Sequence, residues 1–155
     1  MAFSIERLGP GDEATLALLA RHDGDFDLDG RGAPLPPLPP DRARAYLANP
    51  AVLHWVAREG VEVVGFLYCL LVPLRAGDGQ EVLLYEIGVQ KAHRRRGAGR
   101  ALLETLEAFM REHAIREVWV LADNPTAVDF YRGCGYGVED DQPVYLTRDV
   151  TAPRR

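Results

Sequence analysis

Residues 83–110 read LLYEIGVQKAHRRRGAGRALLETLEAFM, and the order of their textures decides the fold. Leu83 to Val89 is an apolar run too short for a helix on its own, which predicts a buried strand. Lys91 to Arg96 forms a basic loop, and Gly97 and Gly99 follow it. Ala98, Leu102, Leu106, Phe109 and Met110 then recur with helical spacing, while Arg100, Glu104, Glu107 and Arg111 keep another face charged. A strand, a basic glycine turn and a helix start together make a site for a phosphorylated ligand. Glycines let the backbone come close, the first-turn N–H groups lack acceptors in their own helix, and the macrodipole favours an anion.

Two common phosphate motifs are excluded. No lysine and hydroxyl follow a glycine as a P-loop requires. Leu102 stands where a dinucleotide fingerprint needs its third glycine or alanine. What remains is Arg94-x-x-Gly97-x-Gly99, joined by a second block at residues 124–136, AsnProThrAlaValAspPheTyrArgGlyCysGlyTyr. In order and separation the two blocks resemble the Gcn5-related N-acetyltransferases. That family carries Arg/Gln-x-x-Gly-x-Gly/Ala, followed by Asn-x-x-Ala-x-x-Phe-Tyr-x-x-x-Gly-Phe/Tyr. The resemblance implies an α/β fold of mixed α+β character: a central, mostly antiparallel sheet of six or seven strands flanked by about four helices. It also implies that acetyl-CoA is the acyl donor. Arg94, Arg95, Arg96, Gly97, Ala98, Gly99 and Arg100 would cradle its pyrophosphate, with Ile87, Val89 and Asn124 along its arm.

Composition agrees with a single domain over residues 1–155, whose 47% hydrophobic content suffices for a core without disulfide or metal staples. Two cysteines, Cys69 and Cys134, do not make a disulfide framework. The start MAFSIERLG has no apolar leader, and the run Val61 to Leu74 is broken by Glu62, Gly65 and Pro73. A soluble cytoplasmic protein is therefore expected. A net charge of −5 argues against a general nucleic-acid binder, so the basic run at 91–96 is read as counter-charge for a polyphosphate.

In chain order, strands are expected at Phe3 to Leu8, Val52 to Arg58, Val61 to Val72, Glu117 to Leu121 and Val144 to Val150, besides the central one. A Glu59-Gly60 turn should join the second and third. Helices should start near Asp12, run over Asp41 to Ala48, and begin at Asn124 with Pro125 in the first turn. Gly133 and Gly135 should stop the last helix. Residues 23–40 read as a solvated loop stiffened by five prolines. Asp25, Asp27, Asp29 and Gly30 resemble the opening of a calcium loop, but Pro36 replaces its closing glutamate, and calcium is not expected. Asp25 and Asp27, with Tyr85 and Glu86, are instead candidate contacts for a cationic substrate.

Acetyl transfer to an amine needs proton removal, because a primary ammonium with a pKa of ~10.4 is almost wholly protonated at neutral pH. Glu86, a carboxylate in an apolar strand, is the candidate base or substrate anchor, and simple alternation puts it on one face with Leu84 and Gly88. By resemblance, Tyr131 protonates the leaving thiolate, and the Val89 amide meets the thioester oxygen where the strand parts from its neighbour. Cys134 has no evident base, and the four histidines lack metal spacing, so no metal is expected.

The segments ArgLeuGlyPro at 7–10 and TyrGluIleGlyVal at 85–89 are similar to small aminoglycoside 3-N-acetyltransferases. Those enzymes carry aspartate in place of Glu86 and a longer acidic stretch where this chain has AlaAspAsnPro. A polyamine, an amino sugar or a protein terminus remain alternatives, as do a protein acetyltransferase and a non-catalytic acyl-CoA sensor. The partner expected is a small amine, with homodimer formation left open and neither nucleic acid nor membrane involved.

Overall fold

A computed structural model describes residues 3–26 and 33–151. It divides into two compact units, residues 1–121 and 122–155. The first unit holds β1 (Ser4–Arg7), α1 (Glu13–Arg21), α2 (Asp23–Phe26), α3 (Pro40–Ala48), β2 (Val52–Glu59), β3 (Glu62–Pro73), β4 (Gln80–Val89), a short 3-10 turn (Lys91–His93), α4 (Ala98–Glu112) and β5 (Val118–Val120). The second holds α5 (Pro125–Gly133).

The strands form one five-stranded sheet in sequence order. The first four are antiparallel, and β5 runs parallel to β4 after the α4 crossover. This is the mixed, mostly antiparallel α/β architecture expected. The expected strand at Val144–Val150 does not form. That stretch is irregular, and Val144, Tyr145 and Leu146 are exposed, so alternation there found no partner edge to make it a strand. Five strands therefore stand among the described residues in place of six or seven. The hairpin turn falls on Gly60-Val61, one residue later than expected, with Gly60 at φ 62°. No helix among the described residues is long and apolar enough to cross a membrane.

Each face of the sheet has its own core. On one face Leu53, Leu67, Cys69, Val82 and Leu84 are buried, as are Leu102, Leu103, Leu106 and Met110 of α4. The closeness of α4 is set by Gly65: a Cβ there would meet the Leu102 Cδ1 at 3.4 Å and the Gly88 carbonyl oxygen at 3.1 Å. On the other face Leu19 of α1, Phe26 of α2 and Leu47 of α3 close over Val56 and Val63, with Tyr46 and Phe66 packed against them. Fully burying one such side chain stabilises by about 1.5–3 kcal/mol.

A bulge in β4 determines which residues face which core. Cys69 pairs with Leu84, but the preceding Tyr68 pairs with Glu86, so Tyr85 is the additional residue. Leu84 and Glu86 consequently point to opposite faces. The expectation that Glu86 shares a face with Leu84 is corrected; it shares one with Gly88, opposite Tyr68 and Phe66.

Residues 23–26, read as loop, form one helical turn because the apolar Phe26 docks on the sheet, edge-on to Phe66 with ring centroids 5.3 Å apart. Gly88 makes that docking possible: a Cβ there would lie 2.7 Å from Phe66 Cε1 and 2.9 Å from Phe26 Cβ. Gly88→Ala should destabilise the fold by about 1–3 kcal/mol through overpacking. The denaturant midpoint should fall at constant m-value; an unchanged midpoint would contradict this packing.

Candidate active site

Ile87 and Val89, expected to line the donor, lie at the end of β4. The Gln90 amide donates to the Val64 carbonyl at 2.8 Å, which makes Gln90–Val64 a hydrogen-bonded pair and Val89–Gly65 a non-bonded one. By the same alternation the N–H groups of Ile87 and Val89 point away from β3. On that side β5 pairs only from Val82–Val118 to Leu84–Val120, so beyond Leu84 no strand among the described residues covers the edge. Two backbone donors thus lie on an edge of β4 that β5, ending at Val120, does not pair.

The chain then turns sharply into α4. Arg95 sits at φ 64° and Gly97 at φ 94°, both left-handed, an arrangement that costs a non-glycine residue about 1–3 kcal/mol and concentrates at ligand sites. Gly97 is the N-cap of α4 and supplies no side chain to its first-turn amides. Nothing lies within 4 Å of where its Cβ would be, so the space before those amides is open on that side. An anion fits there by charge and by hydrogen-bond supply.

The arginines divide their work. Arg94 Nε donates to the Val89 carbonyl at 3.0 Å and its Nη2 to the Phe26 carbonyl at 3.3 Å, tying the end of β4 to α2. Arg96 makes a two-pronged pair with Glu59, at 2.6 and 3.2 Å, and His93 Nε2 lies 3.2 Å from the same carboxylate. Arg94 and Arg96 therefore hold the turn's shape. Glu59 and His93 escape sequence reading, because their partners lie in a hairpin and a loop far apart in the chain.

On the opposite face, Glu86 keeps contact with solvent, yet neighbouring atoms crowd its carboxyl. That desolvation, and secondarily the Asp23 carboxylate, raises its pKa above the ordinary glutamate value. The nearby acid is thus Asp23. Asp25 lies instead against the His22 ring at 3.1 Å, and Asp27 falls outside the described residues. Tyr46, Tyr68 and His54 stand around this side as well and carry no motif a sequence would betray. Tyr46 bonds His54 Nδ1 at 2.9 Å, and burial pushes the His54 pKa down to about 4. A cavity of about 340 Å³ lined by Leu18, His22, Arg58, Val61 and Gln90 contains none of the residues the sequence nominated.

In the second unit, Asn124 Oδ1 accepts from the Ala127 amide at 2.8 Å, so the motif asparagine caps α5. The Tyr136 amide donates to the Tyr131 carbonyl and the Gly135 amide to that of Arg132, both at 3.0 Å, a Schellman stop with Gly135 at φ 92°. Gly133 is the last helical residue, so Gly135 alone supplies the left-handed turn. The rings of Tyr131 and Tyr136 meet at 5.3 Å across that stop.

The family model described as acetyltransferase (GNAT) family matches residues 19–136, from α1 through the Schellman stop. The chain belongs to the GNAT family. Among curated relatives, it is 29% identical over 98 residues to N-acetyltransferase family 8 member 2 of Rattus norvegicus, covering 62% of this chain and 43% of that protein. It is 36% identical over 89 residues to a mycothiol acetyltransferase of Corynebacterium glutamicum (strain R), covering 56% and 29%. The match thus spans less than half the length of these relatives. Among solved structures, an aminoglycoside acetyltransferase from an uncultured soil metagenomic sample superposes with a TM-score of 0.81 at 22% identity, covering 96% of each chain. The ribosomal-protein-alanine N-acetyltransferase of Brucella melitensis gives 0.73 at 20%, covering 96% of this chain and 100% of that one. At these identities the structures establish the GNAT fold.

The raised pKa of Glu86 has a consequence for stability. Its contribution to folding is fully present below the ordinary glutamate value of 4.5 and is lost as pH rises through the raised folded value. Glu86→Gln should therefore melt higher than the wild type at pH 7, with the difference closing at acid pH. Melting curves across pH test this; a variant less stable at neutral pH would contradict it.

Proposed function

We propose that this GNAT protein is an N-acetyltransferase that moves an acetyl group from acetyl-CoA to a primary amine of a small cationic acceptor, by direct attack in a ternary complex. The observation that carries this reading is the unpaired outer edge of β4 beyond Leu84. It offers the Ile87 and Val89 amides beside a glycine turn built for an anion, while Glu86 stands on the inner face of the same strand. Acetyl-CoA supplies an activated thioester with a pyrophosphate handle. The turn at 94–100 holds the handle through first-turn amides, and the pantetheine-arm role of Asn124 rests on the family resemblance alone. Glu86, or a water it holds, takes a proton from the acceptor ammonium, and the freed nitrogen attacks the thioester carbon. The Val89 N–H receives the charge that develops on the oxygen. As the carbon–sulfur bond breaks, Tyr131 gives its phenolic proton to the thiolate, a role that rests on its motif.

The acidic character of the Glu86 side favours a cationic acceptor. An aminoglycoside belongs to that class, and sequence similarity to small aminoglycoside acetyltransferases supports it as a candidate. The assay is release of free thiol from acetyl-CoA with a panel of amines. Glu86→Gln should lower kcat/KM by ~10²-fold or more. The acid limb of the wild-type pH profile should lie above the ordinary glutamate value and vanish in the variant. If KM rises alone while kcat holds, Glu86 is an anchor and the base assignment is wrong. Tyr131→Phe should retain acetyl-CoA binding and lose turnover; full turnover would sink its role as acid.

The donor site has a separate readout. Acetyl-CoA at one hundred times Kd should stabilise the fold by about 2.7 kcal/mol. Gly97→Val should erase that thermal shift, because a β-branched residue resists φ near 94° even though the space is open. A full shift in this variant would locate the pyrophosphate elsewhere.

A further inference from the structure

We propose that Tyr46, Tyr68 and Tyr85 form an aromatic wall facing the Glu86 and Asp23 carboxylates, and that this wall selects a singly charged primary amine with an aryl or alkyl body. The inference rests on the acetyltransferase reading above and names the acceptor class of that site.

Three elements bring the rings together. Tyr46 comes from α3, Tyr68 from β3 and Tyr85 from the β4 bulge. Ring centroids lie 5.6 Å apart between Tyr46 and Tyr68 and 5.3 Å apart between Tyr68 and Tyr85, with interplanar angles of 57° and 53°. Neighbouring rings are thus in contact and tilted to one another. The wall's inner end is anchored, since Tyr46 bonds His54 and the His54 ring stacks on Tyr68 at 5.7 Å. Its outer end is open: Tyr85 is 61% exposed. Core packing accounts for His54 and the inner rings, but not for a tyrosine held in solvent by a bulge.

The carboxylates complete the site. Glu86 lies opposite Tyr68 in the β3–β4 register, and Asp23 lies close enough to act on Glu86 electrostatically. No Lys, Arg or His among the described residues pairs with either. Two like charges, one of them partly desolvated, are an unfavourable pair that one ammonium relieves. Aromatic faces beside them add cation–π attraction, and an exposed ring offers apolar contact to whatever carries the ammonium. The described carboxylates beside the rings, Glu86 and Asp23, are a pair that one ammonium can bridge.

The experiment uses 2-phenylethylamine as the probe, titrated calorimetrically into protein saturated with CoA, with 2-phenylethanol as its neutral counterpart. The amine should bind and the alcohol should not. Tyr85→Ala should weaken amine binding by about tenfold, Tyr85→Phe should hold it within about twofold because the ring face remains, and Asp23→Asn should weaken it as well. In thiol release, 2-phenylethylamine should show a higher kcat/KM than spermidine or sisomicin. Equal binding of alcohol and amine, unchanged affinity in Tyr85→Ala, or preferential turnover of sisomicin would each overturn the proposal. The acetyltransferase reading fails on a different result: tyrosine-dependent amine binding with acetyl-CoA bound and no thiol released from any amine. That result leaves the aromatic wall supported as a binding site.

Discussion

The placement of Tyr85 as a bulged residue is the constraint on which the rest of this structure depends. Below it, β4 belongs to the core under α4: Val82 and Leu84 are buried. Above it, the same strand turns a carboxylate and a glycine toward the α1–α3 face. A regular strand carrying the same residues would drive Glu86 toward the α4 core, where a lone charge costs several kcal/mol. The bulge avoids that by moving the facing of the strand by one residue, at the loss of a regular ladder pair.

The outer edge of β4 carries a second departure from regularity: β5 ends at Val120, and beyond Leu84 no strand among the described residues pairs that edge. Backbone donors that a longer parallel ladder would consume are left outside it. The left-handed residues Arg95 and Gly97 then swing the chain into α4. Strain of this kind persists only where surroundings fix it, and the Arg96–Glu59 pair together with the bonds of Arg94 does so.

How far these features were legible in the sequence follows from their range. The α4 start and its glycines are local, so apolar spacing and Gly97 sufficed to find the turn. The Asn124 cap and the Gly135 stop are local too, although Gly133 stood equally ready for the second role. What escaped was set by long-range pairing. Alternation alone cannot reveal that Tyr85 is extra, because the register is decided against β3. The same holds for Asp23: its importance comes from α2 docking through Phe26, and α2 read as loop because four residues carry no periodicity. Val144 to Val150 failed in the opposite direction. Its alternating pattern is strand-like, but a strand exists only where an edge accepts it. Tyr46, Tyr68 and His54 come from three elements whose proximity no motif announces.

Arg94 has a bearing on how the two halves of a reaction communicate. One guanidinium holds both the carbonyl of Val89, the residue whose amide lines the donor edge, and the carbonyl of Phe26, which ends the turn carrying Asp23. Both backbone segments are therefore held by one planar side chain. By thermodynamic reciprocity, any factor by which the donor tightens the acceptor is the factor by which the acceptor tightens the donor. An arginine that the sequence motif marks as a phosphate ligand thus joins, through two hydrogen bonds, the end of β4 to the turn that carries Asp23.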